Sequence, residues 1–326
     1  MSLQPPSIEV SLVSPAFNEE SNLNALYEKL IEMMENRSFT WEWIVVDDHS
    51  EDGTFELIDR ISKKDPRVKG VRLSRNCGSH IALTCGLNLC RGRAALCLAA
   101  DLQDPPEVIE QLIAIWKSGK QVVWGVRSER IGESFWTKKT SLAYYWIMRK
   151  VVGMRDMPPT GADVFLIDRR VIDSIKRFKE RNISLFALIT WLGYRQGYVT
   201  YAKQARHSGV SGWNFKKKVR LAIDSIVGFS NFPVRWISYL GGVIALTGFV
   251  VAVGLIVHVL TTGTPPEGWT SVMVSVLVIG GIQIVMLGIL GEYVWRGVDE
   301  SRRRPAFLIE NVTGEWDSED IRQADT

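Results

Sequence analysis

The chain has 326 residues, of which 46% are hydrophobic and 23% charged, with 39 Lys and Arg against 36 Asp and Glu and a formal net charge of +3. The composition is that of an ordinary globular protein, and so small a positive surplus gives no basis for a nucleic-acid partner. The length accommodates one soluble α/β domain and an appendage.

Met1 to Ser7 is polar and Pro-rich, and the first apolar stretch is too short for the core of a secretion signal. Short β-branched runs then alternate with helical patterns. Strands are predicted at 10–13, 43–46, 68–73, 94–98 and 122–126, and helices at 22–34, 54–61, 81–89 and 106–116. This alternation predicts an α/β fold with a mostly parallel sheet wrapped by helices. In such a sheet chemistry collects beyond the carboxyl ends of the strands. Polar clusters do follow the predicted strands there: Ser14 to Glu20, Asp47 to Gly53, Arg75 to His80 and Asp101 to Glu107, with Arg127 and Arg130 after the fifth.

Farther along, 135–152 and 213–229 have the basic, amphipathic pattern of interfacial helices. Trp236 to Leu260 and Trp269 to Gly291 contain no Asp, Glu, Lys or Arg, and each exceeds the roughly 20 apolar residues that span a bilayer. Lys216, Lys217, Lys218, Arg220 and Arg235 precede the first run, and Arg296, Arg302, Arg303 and Arg304 follow the second. The intervening Thr261 to Gly268 has no Lys or Arg. The charge asymmetry predicts two spans with both termini and the soluble domain on the cytosolic side of the membrane. The expected organisation is a catalytic domain at 1–205, a juxtamembrane segment at 206–234, a membrane hairpin at 235–295 and a cytosolic tail at 296–326. Cys77, Cys85, Cys90 and Cys97 form no CxxC pair and read as reduced packing residues.

The most informative cluster is Asp101-Leu102-Gln103-Asp104-Pro105-Pro106, at a strand end before a helix opened by proline. Its oxygens suit a hard divalent cation that also takes oxygens from a diphosphate. Asp104 reads as the cap of the following helix. Asp47 and Asp48 end a buried strand, and two readings stand for them: one accepts a hydrogen bond from a base N–H, or one caps the helix beginning near Asp52. Asn18, Glu19 and Glu20 after Pro15 carry the same ambiguity. For Arg127 and Arg130 two readings also stand: guanidinium forks that neutralise phosphate oxygens, or loop arginines that are simply solvated.

Four ordered motifs carry a family resemblance: Pro15-Ala16-Phe17-Asn18-Glu19-Glu20, Val45-Val46-Asp47-Asp48-His49-Ser50-Glu51-Asp52-Gly53-Thr54, Leu73-Ser74-Arg75-Asn76-Cys77-Gly78 and Asp101-Leu102-Gln103-Asp104-Pro105-Pro106. Together they resemble glycosyltransferase family 2, and within it the polyprenyl-phosphate glycosyltransferases, over about residues 8–300. The resemblance implies a GT-A type nucleotide-sugar fold and an inverting transfer with Mg2+ or Mn2+. By the same resemblance Pro15, Asn18, Glu20, Asp47 and Asp48 serve the nucleoside, Asp101 and Gln103 the metal and diphosphate, and Arg127 the phosphates. The family's Asp-x-Asp element would begin at Ala99, so metal binding rests on Asp101 and Gln103. Its Ser-Lys-Tyr element is altered to Ser211-Gly212-Trp213.

Asp156 and Asp163 are the downstream carboxylates expected to orient sugar hydroxyls or the acceptor, with the loop-residue reading equally open. Lys138, Ser141 and Arg206 are candidates for the acceptor phosphate. The expected reaction passes a hexose, with glucose from UDP-glucose the leading choice, to undecaprenyl phosphate. The acceptor's second pKa of about 6 leaves it largely dianionic at neutral pH, so no strong general base is needed. A separate flippase and a homo-oligomer are expected. A processive polysaccharide synthase fits less well, because Val234-Arg235-Trp236 lacks the glutamine of the Gln-x-x-Arg-Trp element. Ala99 is the feature that favours a catalytically weak, membrane-tethered nucleotide-binding scaffold instead.

Overall fold

The computed structural model of the chain describes residues 8–35, 39–101, 103–127, 145–150, 152–154, 156–158, 162–178, 184–202, 229–230, 232–262, 268–302 and 304–317. The chain divides into two compact units, Met1–Ser225 with Pro305–Thr326, and Ile226–Arg304.

The strands of the first unit are β1 (Val10–Ala16), β2 (Trp41–Asp47), β3 (Val68–Leu73), β4 (Ala94–Cys97), β5 (Val122–Arg127), β6 (Ala162–Asp168), β7 (Gln196–Tyr201) and β8 (Ile309–Thr313). They form one sheet in the order β7-β5-β6-β4-β1-β2-β3-β8. Its helices are α1 (Glu20–Glu35), α2 (Thr54–Lys64), α3 (Ser79–Leu89), α4 (Pro106–Lys117), α5 (Arg169–Ile175) and α6 (Leu185–Trp191). All five predicted strands and all four predicted helices form. β1 pairs in parallel with β2 and β4, β2 with β3, and β5 with β7. The three antiparallel pairings all involve strands that were not predicted, β6 against β4 and β5, and β8 against β3.

The central strands are buried on both faces. Val10, Leu12, Val13, Trp43, Ile44 and Val46 have no exposed surface, which is why they read as continuous apolar runs without alternation. α3 lies close on this sheet because Gly86 has no side chain: a Cβ there would come 2.4 Å from Val13 Cγ1 and 3.2 Å from Val46 Cγ2. Cys85, Cys90 and Cys97 are buried free thiols, as packing residues should be.

β8 follows the two long helices in sequence yet joins the same sheet, so the segment expected to be a tail contributes an edge strand. Thr313 Oγ1 donates to Asp59 Oδ1 of α2 (2.6 Å) and lies 2.8 Å from Ser62 Oγ. The Trp316 ring stands 5.2 Å from Lys69 Nζ, and Arg91 Nη2 meets Asp317 Oδ2 at 2.5 Å. Five residues whose partner strand is far upstream leave too short a local pattern to be read as a strand.

The second unit holds α7 (Phe232–Thr262) and α8 (Trp269–Ser301), of 31 and 33 residues. Each contains a stretch long and apolar enough to cross a membrane, Trp236–His258 and Val278–Ser301, and neither has its most apolar window buried. Phe249, Leu260 and Ile284 are 67%, 80% and 72% exposed, whereas a core helix of a soluble protein buries such side chains. At about 1.5 Å per residue either helix exceeds the roughly 30 Å hydrocarbon core. Of the two predicted interfacial segments, 145–150 is helical, while 135–144 and 213–228 lie outside the described residues.

Candidate active site

β1, β2 and β3 step across the sheet in one direction, and the chain then returns to set β4 on the other side of β1. At such a reversal the loops after neighbouring strands part, leaving a crevice beyond the carboxyl ends. Here it lies between the loop after β1 and the loop after β4. The two strands stay in register through Val13↔Cys97, and Leu98 N donates to Val13 O (3.1 Å). β6 is antiparallel, so its first residues, Ala162 and Asp163, come to the same end of the sheet as the last residues of β5.

The loops after β1 and β2 are tied to each other. Asn18 adopts a left-handed conformation (φ 56°), donates its N–H to Ser50 Oγ (2.9 Å) and accepts from Glu51 N at Oδ1 (2.9 Å). Glu19 N donates to Thr54 Oγ1 (2.9 Å), and Glu20 Oε2 accepts from Gly53 N (3.1 Å). A Cβ on Gly53 would fall 2.5 Å from Glu20 Oε1, so a side chain there would displace the Glu20 carboxylate from this contact. Pro15, half-buried on β1, pairs with Val46.

Asp47 and Asp48 are buried, at 0% and 3% exposure. Asp47 accepts from Ser50 N (3.1 Å), Ser50 Oγ and Arg72 Nη1 (3.2 Å). Asp48 spans two successive backbone donors, Cys77 N (2.7 Å) and Gly78 N (2.8 Å), and so fastens the loop after β3 to the end of β2. Burial pushes both carboxyls above the ordinary carboxylate range, and these donors act in the opposite direction. The helix-capping reading of this pair fails. The cap position of α2 is Gly53, without a side-chain bond, and Asp52 just before it accepts from Thr54 N at Oδ1 (3.1 Å).

Behind Asp47 lies a network that sequence reasoning missed. Arg72 donates to Ser50 O (3.0 Å) and to Glu310 Oε2 of β8 (3.0 Å). His49, left-handed at φ 62°, donates Nδ1 to Leu73 O (3.0 Å) and lies 3.4 Å from the same Glu310 oxygen. The C-terminal strand thereby reaches the loop after β2. The β-branched content of 309–313 was the one available signal.

On the other wall Asp101 is 5% exposed, and its Oδ1 accepts from Gln103 N (3.4 Å). Asp104 does not cap α4. The cap position is Pro105, without a side-chain bond, and Asp104 Oδ1 instead accepts the Tyr201 hydroxyl (2.5 Å), joining this loop to the end of β7. Burial, with the Asp104 carboxylate beside it, drives the Tyr201 hydroxyl far above its ordinary pKa, so it remains a donor.

Arg127 and Asp163, expected to serve different substrate groups, are brought together as an ion pair through Arg127 Nε and Asp163 Oδ2. Asp156 is exposed and is placed by its carbonyl, which accepts the Tyr198 hydroxyl (2.7 Å); no described hydrogen bond takes its carboxylate to Asp101 or Arg127. Lys138, Ser141 and Arg206 lie outside the described residues.

Among the described residues no group of three His, Cys, Asp or Glu side chains converges as a metal cage. A divalent ion such as Mg2+ commonly takes only one or two carboxylates and completes its shell with water and substrate phosphates. The buried Asp101 carboxylate, with the Gln103 amide two residues on, fits that type of site.

A family model described as glycosyl transferase family 2 matches residues 11–176, just over half of the chain. This chain belongs to glycosyltransferase family 2. The match ends just past α5, so it takes in the β1 to β4 crevice, Arg127 and Asp163 of this glycosyltransferase. Over 94% of its length it is 36% identical to an uncharacterised glycosyltransferase of Synechocystis sp., covering 96% of that protein. Over 93% it is 34% identical to the bactoprenol glucosyl transferase of Shigella phage SfV, covering 99% of that chain. Among solved structures, it is similar to a glucosyl-3-phosphoglycerate synthase from Mycobacterium tuberculosis in complex with Mn2+, UDP-glucose and phosphoglyceric acid. That likeness has a TM-score of 0.49 at 16% identity and covers 68% of this chain and 78% of the other. The glycosyltransferase has the mostly parallel mixed sheet of a GT-A domain, followed in sequence by two apolar helices.

Proposed function

We propose that the enzyme transfers a hexose, glucose from UDP-glucose, to a polyprenyl phosphate with inversion at the anomeric carbon, on the cytosolic face of a bacterial membrane. The observation that carries this reading is the full-length match to a bactoprenol glucosyl transferase, which extends through the two apolar helices as well as the family 2 region. An acceptor that resides in the membrane gives those helices a reason to be fused to a sugar-nucleotide domain.

The described geometry supports a division of labour. The loops after β1, β2 and β3, locked by Asn18, Glu20, Asp47 and Asp48, form a rigid wall for the nucleoside, with Pro15 at its base. Asp101 and Gln103 on the opposite wall would hold a divalent ion. When bound, that ion supplies positive charge to the leaving diphosphate. Arg127 adds a guanidinium to the same group, and its pairing with Asp163 keeps the side chain in position while the crevice is without donor. In the transfer an oxygen of the acceptor phosphate bonds to the anomeric carbon as the bond from that carbon to the diphosphate breaks, and UDP leaves with the electron pair. The acceptor is already an anion, so positioning and charge stabilisation account for catalysis without a strong base. Asp156, Lys138, Ser141 and Arg206 remain the proposed contacts on the acceptor side.

The test is transfer of radiolabelled sugar from a panel of UDP- and GDP-sugars to undecaprenyl phosphate by the purified full chain, with Mg2+, with Mn2+ and with chelator. A chloroform-soluble product from UDP-glucose that disappears with chelator and in Asp101→Ala is expected. Product from a different donor would correct the sugar, and no lipid product from any donor would overturn the acceptor assignment.

A further inference from the structure

We propose that the first unit has a second anion-binding site, at the end of the sheet opposite the sugar-nucleotide crevice, for a ligand carrying two or more phosphoryl groups. An open pocket of about 660 Å³ lies where β4, β5 and β7 begin and β6 ends, lined by Arg93, Lys120, Asp168, Arg169, Arg170 and Arg195. At about 3.3 Å per residue, the six residues of β5 put roughly 20 Å between this pocket and Arg127 at the crevice. The two sites share no residue.

Five of the six residues named are cations, and the carboxylate is already engaged. Asp168 accepts from Trp116 Nε1 at Oδ2 (2.9 Å) and from Arg170 N at Oδ1 (3.1 Å). Arg169 is committed to the fold, donating to Gly92 O and Cys90 O and standing 3.6 Å from Asp173. The other four, Arg93, Lys120, Arg170 and Arg195, are exposed and form no side-chain hydrogen bond or ion pair with any described residue. Like charges gathered around one concavity raise the local potential for an anion. Three of the four are arginines, whose planar forks match phosphate oxygens bidentately.

The frame that carries these cations is preformed. Gln121 N and Val122 N both donate to Arg195 O (2.9 and 3.1 Å), Asp168 N donates to Gln121 O (2.8 Å), and Arg169 N donates to Arg93 O (2.8 Å). The backbones bearing Arg93, Lys120, Arg169, Arg170 and Arg195 are therefore cross-linked around the pocket floor, and only side-chain freedom is lost when a ligand binds. The ligand chemistry has two sources, a soluble polyphosphate or an anionic lipid headgroup.

The test is calorimetric titration of the full chain in phosphatidylcholine nanodiscs with inorganic tripolyphosphate, in the presence of chelator to suppress metal-dependent binding at the crevice. Saturable binding is expected, weakened at least tenfold in Arg93→Gln/Lys120→Gln/Arg170→Gln/Arg195→Gln and unchanged in Asp101→Ala. UDP-sugar binding with Mg2+ certifies the fold of the basic-site variants, and an unchanged melting temperature that of Asp101→Ala. The milder Arg170→Gln/Arg195→Gln is run beside the fourfold variant, with a smaller weakening expected. Replacing part of the phosphatidylcholine with phosphatidylglycerol names the source: competition points to headgroups, and an unchanged titration to a soluble ligand. Absence of binding by the wild type, full affinity in both basic-site variants, or loss of binding in Asp101→Ala would each overturn the proposal.

Discussion

Asp48 shows how one side chain can be legible as important while its partners in the fold are not. Its place at the end of an apolar strand announced a buried carboxylate, but nothing local indicated that Cys77 N and Gly78 N would fill both of its oxygens. Asp48→Ala leaves two backbone donors without that acceptor, a loss of about 1–3 kcal/mol for each group that stays dry. A clear drop in melting temperature is expected, with a smaller drop for Asp48→Asn, which keeps one acceptor oxygen. His80 yields a pH prediction. It sits in the first turn of α3 with its ring edge-on to Phe186 (centroids 5.0 Å apart), and burial lowers its pKa to about 4. In the unfolded chain the value is about 6.5, so between these limits the unfolded state binds more protons, by up to about one per chain. Stability from this group is full above pH 6.5 and is lost as pH falls toward 4. Urea midpoints at pH 7 and pH 5 should differ by less in His80→Gln than in the wild type. Arg127 and Asp163 were both singled out from sequence, yet their partnership depends on β6 running antiparallel, which no residue near either one declares.

At the scale of elements, the strands and helices with strong local period were all legible, because burial on two faces or on one helical stripe repeats within a few residues. β6, β7 and β8 were not, and they are the strands that complete the far side and the edge of the sheet. The fit of α3 on β1 and β2 makes Gly86→Ala costly by about 1–3 kcal/mol, since Val13 and Val46 belong to a packed core and cannot withdraw. Thermal unfolding of the full chain measures this. β8 bears on function through Glu310, which holds Arg72 and approaches His49. Glu310→Gln should raise the donor KM by up to about fivefold with kcat little changed, in keeping with the ~1 kcal/mol upper range of a partly exposed ion pair. An equal fall in kcat, with KM unmoved, would instead place the effect on the chemical step.

For the whole molecule, the two long apolar helices predict that the protein stays with the membrane through an alkaline wash. The proposed orientation predicts that Glu267→Cys reacts with an impermeant maleimide added outside intact cells. Labelling only after lysis would reverse that orientation. The amino-acid sequence alone determined the alternating α/β order, the placement of polar motifs at strand ends, the membership in family 2 and the two uncharged stretches. Each of these is written in spacing along a contiguous segment, where side-chain period and charge are directly readable. Only the tertiary structure decided that Asp104 serves Tyr201 and not a helix end, that Arg127 pairs with Asp163, that the strand after the apolar helices reaches Arg72, and that four cations without described partners gather around one pocket. Those are pairings between residues far apart in the chain, chosen by strand order and direction, and strand order is an outcome of packing the whole sheet that no local pattern encodes.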